Sequence, residues 1–166
     1  MEWVFIIGVA VIGYGLIFYL NASKKDKLKS ENKIIDRDPI FFKREHCFET
    51  SVSGLKEIGD AIDKGALSSE TISFEPDYER GIIIFHNNVS FGTFGAALRN
   101  AGNENGIYRY SFKIDAWRER NGGITRQDMF NANVLLTAIE KAFLKLDPQT
   151  KVSEQATKIK SKHTLF

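Results

Sequence analysis

The chain has 166 residues, 27% charged and 43% hydrophobic, proportions that exclude wholesale disorder and a collagen-like or low-complexity composition. Lysine plus arginine number 23 against 21 aspartates and glutamates, and a net charge of +2 gives no general basis for gripping a polyanion. One cysteine excludes an internal disulfide framework and a multi-cysteine zinc site.

Residues 3–20 read WVFIIGVAVIGYGLIFYL, without a charge. At about 1.5 Å per residue the run spans roughly 27 Å, close to the hydrocarbon core of a bilayer. It has no polar face, so it predicts a single transmembrane helix with the lipid bilayer as its partner. Trp3 at one end and Phe18 with Tyr19 at the other suit the two interfaces. A cleaved signal peptide fits less well: only Met1 and Glu2 precede Trp3, and Leu20-Asn21-Ala22 is a poor cleavage site.

Lys24, Lys25, Lys27, Lys29 and Lys33 follow this run and no lysine or arginine precedes it. That asymmetry predicts a cell-membrane protein with its N-terminus outside and its C-terminal domain cytoplasmic. The lysines could also meet anionic headgroups, although setting topology is the simpler role. Gly8 and Gly15 share a helix face, but the four-residue spacing of the small-residue dimer motif is absent, and oligomeric state stays open.

Residues 21–39 are polar and basic and read as a linker closed by Pro39. A soluble domain over 40–148 and a polar basic tail over 149–166 follow. Residues 40–50 predict a first strand. Residues 51–65 predict a helix capped by Ser51 or Ser53, with Leu55, Ile58, Ala61 and Ile62 on one face and Gly65 at its end.

Residues 70–74 and 81–86 predict a hairpin, joined by the turn-forming residues 75–79. The apolar run Ile82, Ile83, Ile84, Phe85 suggests a strand covered on both faces. Residues 89–102 are ambiguous. Phe91, Phe94 and Leu98 have helical spacing, whereas Gly92 and Gly95 each cost a helix roughly 1 kcal/mol relative to alanine. Residues 103–106 predict a turn.

Residues 107–117 predict a strand with one buried face: Tyr108, Tyr110, Phe112, Ile114 and Ala116 alternate with Arg109, Ser111, Lys113 and Asp115. Thr125 with Asp128 forms a capping-box variant opening a helix over 126–146, stopped by Asp147-Pro148. The tail could add an edge strand over 157–162. The fold class is α+β: a transmembrane helix, then a small antiparallel or split-βαβ sheet packed by two or three helices.

Little chemistry is visible. His46 and Cys47 are adjacent, so on a strand they face opposite ways and form no dyad; Cys47 reads as a small core residue. His86 ends an apolar strand beside Asn87, which makes the two a candidate ligand site. Metal-ligand spacings are missing, no cofactor motif appears, and Gly92-Thr93-Phe94-Gly95 lacks the rest of a phosphate loop. In the stretch 109–113 the aromatics face away from the basic residues and no RNP1 pattern occurs, which argues against nucleic acid.

Trp117, Arg118 and Arg120 precede an Asn-Gly turn, and tryptophan with arginine is a frequent interface pairing, so these three are candidate partner-binding residues. The expectation is a membrane-anchored binding or scaffold domain for a protein partner, an enzyme being the less favoured class. The alternative is a tethered small-ligand sensor or enzyme with its site near His86.

Overall fold

The computed structural model describes residues 26, 27, 29, 30, 34–65, 67, 71–89, 92–119 and 123–156. The chain divides into two compact units, 1–35 and 36–166. In the first, residues 26, 27, 29 and 30 are helical, and the Ser30 hydroxyl donates to the Lys27 carbonyl.

The second unit opens with a short 3-10 turn, Pro39–Lys43, in which the Ile40 amide is capped by the Asp38 carboxylate and the Phe41 amide donates to the Asp38 carbonyl. It continues through β1 (Arg44–Thr50), α1 (Leu55–Ala61), β2 (Ile72–Asp77), β3 (Ile82–Val89), β4 (Gly92–Glu104), β5 (Ile107–Trp117), α2 (Arg126–Leu146) and β6 (Lys151–Ala156). The six strands form one sheet in the order β2-β3-β4-β5-β1-β6, with every neighbouring pair antiparallel.

Alternation explains the two faces of this sheet. His46, Phe48 and Thr50 stand opposite Phe112, Tyr110 and Tyr108, and Leu98 and Ala96 continue the face to Ile83 and Phe85. This face is the core. The long helix closes it, with Leu135, Leu136, Ile139 and Phe143 fully buried. Helix α1 packs beside α2 over β2 and β3. At Gly59 a Cβ would lie 2.8 Å from the Tyr78 hydroxyl and 3.1 Å from Ile83 Cδ1, so glycine sets the approach of α1 to the sheet.

The other face carries cross-strand charge pairs. Arg99 meets Asp115, and Arg109 meets both Glu49 and Glu104. Opposite charges across neighbouring strands offset one another within these pairs.

Several expectations are corrected. Among the described residues no helix is long and apolar enough to cross a membrane, and the span expected at 3–20 lies outside the described residues. The one helix of comparable length, α2, carries Arg126, Asp128, Glu140, Lys141 and Lys145 and is a packing helix. The architecture is therefore a six-stranded antiparallel sheet with two helices, and the transmembrane, single-pass reading is not retained.

The split-βαβ arrangement is also replaced, because the ambiguous stretch is strand β4. Pairing with β3 on one side and β5 on the other, with Phe94, Ala96, Ala97 and Leu98 buried, outweighs the helical spacing, and the glycines that penalise a helix sit at strand positions. The first helix is shorter than expected and begins at Gly54 without a side-chain cap. The hydroxyl of Ser51, expected to cap it, instead donates to Asp147. Residues 75–77 belong to β2 rather than to the hairpin turn. The edge strand lies at Lys151–Ala156, and residues 157–162 lie outside the described residues.

Candidate functional site

The residues singled out in the sequence do not converge. His86 projects from the charge-paired face and sits 3.8 Å from the Glu75 carboxylate. Asn87, the next residue, points into the core and is completely buried. Its amide donates to Asp128 Oδ1 (2.8 Å) and its carbonyl accepts from Asn131 (2.8 Å). Asp128 also receives the Thr125 hydroxyl, whose oxygen accepts the Asp128 amide and caps α2. The three residues pin the start of α2 onto β3, so every named group there is spent on structure.

Trp117 packs edge-on against Phe42, with ring centroids 5.8 Å apart, and its indole N–H donates to Glu119. Arg118 beside it is exposed. Arg120 lies outside the described residues. Cys47 is half-buried on the charge-paired face beside Glu45 and Glu49, not in the core. Burial first, and then these two carboxylates, raise its thiol above the usual cysteine range. Its neighbour His46 takes the core position instead.

A cluster that sequence spacing did not disclose surrounds His46. The imidazole is 1% exposed. Its Nε2 lies 3.1 Å from the Phe41 carbonyl, which can only accept, so Nε2 carries the proton. Nδ1 is then a bare lone pair, buried and without a hydrogen-bond partner. The nearest carboxylate oxygen, Glu154 Oε1 on β6, is 3.6 Å away, beyond hydrogen-bond reach. The other oxygen of Glu154 is held by Arg44 at 2.5 Å.

Behind the ring, Arg37 donates to Glu140 of α2 (2.5 Å) and to Asn133 (3.2 Å). Both members of this ion pair are about one-tenth exposed. A pair this deep gains little over an apolar replacement, because two ions must be stripped of water. Burial is the dominant influence on His46 and holds its proton affinity below the ordinary histidine range. The Phe41 carbonyl and Glu154 act against this, Arg37 adds to it, and Glu140 opposes it.

The cluster lies directly against an open sheet edge. Among the described residues β6 pairs with β1 alone, and all six of its residues are exposed. Val152, opposite Phe48 on the core-facing side, remains 42% exposed because β6 lies beyond the cover of α2. The other edge, β2, is different. Pro76 removes a backbone donor there, and Glu75 and Asp77 flank it.

A shallow depression of about 200 Å³ lies where β1 ends, lined by Glu49, Thr50, Ser51, Ile107, Asp147, Gln149 and Lys151. Its central carboxylate is already engaged. Asp147 Oδ2 accepts from the Thr50 hydroxyl, the Ser51 amide and the Ser51 hydroxyl, and Oδ1 accepts from the Gln149 amide. Those bonds, led by the Ser51 amide, lower its pKa to about 2. The group fastens the end of α2 to the end of β1. Among the described residues no group of three or more acidic, histidine or cysteine side chains could hold a metal ion. Comparison with protein-family models, with curated proteins and with solved structures returns no match for this chain.

Proposed function

We propose that the 36–166 unit is a non-enzymatic binding module that receives a protein partner as an added strand along β6. The observation that carries this reading is the contrast between the two sheet edges. β2 is interrupted by Pro76, which has no backbone donor, while β6 contains no proline and has Val152 exposed beside its edge. An added strand would satisfy the outward amides and carbonyls of β6 and cover Val152.

The charge-paired sheet face disfavours a polyanion as the partner. The loop at Trp117 is a weaker contact, because its tryptophan is engaged by Phe42 and Glu119, which leaves Arg118 as the exposed group.

Site-specific photo-crosslinking in intact cells tests this reading. A photo-reactive residue at Gln155 should give a discrete protein adduct, and one at Glu75 on the blunted edge should not. Val152→Lys, which replaces the exposed apolar side chain with a charged one, should abolish the adduct at Gln155. Equal labelling at both edges, labelling at Arg118 alone, or no adduct at Gln155 overturns the reading.

A further inference from the structure

We infer that His46 is a proton-operated release for strand β6. The geometry is specific. The Phe41 carbonyl fixes which nitrogen bears the proton at neutral pH, and the unprotonated Nδ1 faces β6 with no donor to meet it. A second proton must therefore arrive at Nδ1, in a site with no water-facing surface.

The charged groups around the ring decide the consequence. From β6 comes Glu154, at 3.6 Å and already bonded to Arg44 of β1. From the segment before the 3-10 turn comes Arg37, and from α2 comes Glu140, each engaged with the other. The turn itself contributes Phe41, whose carbonyl accepts from the ring and whose own ring packs against the imidazole, and β5 contributes Phe112. One carboxylate shared with Arg44, and a second matched by the Arg37 cation, leave an imidazolium poorly compensated. Burying a charge on these terms costs more than hydrating it.

The sign follows. The native state takes the proton less readily than an unfolded chain, whose histidine titrates near 6.5. As pH falls below that value, any opening that brings water to Nδ1 becomes favoured. The least costly opening is the detachment of β6, an edge strand with six exposed residues and, among the described residues, one neighbour. Mild acid should therefore free β6 while the rest of the sheet stays closed. The consequence for binding, release of a docked partner in acid, rests on the β6 docking reading; the opening itself does not.

Amide hydrogen exchange of the full chain at pH 7.5 and 5.5, corrected for intrinsic rates, tests the release without any partner. The amides of β6 should lose about three- to tenfold protection in acid relative to those of β4 and β5, the scale of one protonation-linked step of up to a pH unit. His46→Gln should abolish that difference. Should that variant fail to fold, Glu154→Gln serves, because loss of the carboxylate lowers the native proton affinity of His46 further, and the loss of β6 protection between pH 7.5 and 5.5 should be at least as large as in the parent chain. Overturning results are β6 protection that tracks the rest of the sheet or rises in acid, persistence of the effect in His46→Gln, or a smaller acid loss of β6 protection in Glu154→Gln than in the parent chain. Crosslinking at Gln155 at pH 7.5 reports separately on docking, so the two failures can be told apart.

Discussion

Phe48 of β1 and Phe143 of α2 lie face to face, their ring centroids 4.3 Å apart and their planes 9° from parallel. Tyr110 of β5 tilts against the same Phe143 ring at 5.4 Å. One side chain of the long helix thus clamps two strands at residues 62 positions apart in the chain, Phe48 and Tyr110. Phe143→Ala should cost about 3–5 kcal/mol, the range for emptying an aromatic site in a closed core. Phe143→Leu should cost less, since it refills much of the volume. Chemical denaturation of both variants checks this, and equal losses would show that ring volume is not what counts.

Gly59 carries the approach of α1 to the sheet. Gly59→Ala would gain roughly 1 kcal/mol of helix propensity. Against that gain, the new methyl would press on the Tyr78 hydroxyl and on Ile83, at a cost of about 1–3 kcal/mol. The net effect should be destabilising by about 1 kcal/mol, and Tyr78→Phe in the same chain should recover part of it. A melting series over the two single variants and the double variant measures the coupling, and simple additivity would contradict the close contact.

The network of Asn87, Asp128 and Asn131 is buried and fully engaged. Asn87→Ala would leave Asp128 short of a donor in a site closed to water, and should cost about 3 kcal/mol. Urea denaturation gives that value directly. A loss below about 0.5 kcal/mol, the scale of a surface change, would mean the residue is not a structural pin.

Acid stability has a second contributor besides His46. Asp147 has a native pKa of about 2 against an ordinary value of 3.8. Its contribution is fully present above the ordinary value and is lost as pH falls through the native one. Between pH 4.5 and 2, Asp147→Asn should therefore show a shallower decline in stability than the parent chain. Urea midpoints across that range provide the comparison, and parallel declines would remove Asp147 from the acid transition.

Tyr110 sets the alkaline limit in the same way. Its hydroxyl donates to the Val52 carbonyl (3.0 Å), and burial pushes its pKa up to about 12. An unfolded tyrosine ionises near 10, so stability should fall as pH rises from about 10 to 12. Tyr110→Phe should remove that decline at a cost of about 1 kcal/mol at neutral pH. Denaturation at pH 7 and across the alkaline range tests both parts.

Local order was legible where one period ran long enough. The strand at Ile107–Trp117 was marked by Tyr110, Phe112 and Ile114, which are buried at every second position, and α2 carries its apolar stripe between a threonine cap and Asp147-Pro148. His46 and Cys47 had to face opposite ways, since neighbouring residues on a strand do. Which of the two faces would be covered was not legible, and the expectation for Cys47 was reversed. The choice at residues 89–102 was balanced because glycine weakens both possible elements. Neighbouring strands on either side, not intrinsic preference, decided it.

From residues alone came a mixed α+β chain, the place of its long helix, and the alternation of its central strand, because each depends on interactions within a few positions. Tertiary structure alone seated β1 between β5 and β6, buried His46 beside an exposed edge, and joined Arg37 to Glu140 across 103 positions. Such partners are chosen by which surfaces exclude water together, and no local spacing along the chain encodes that choice.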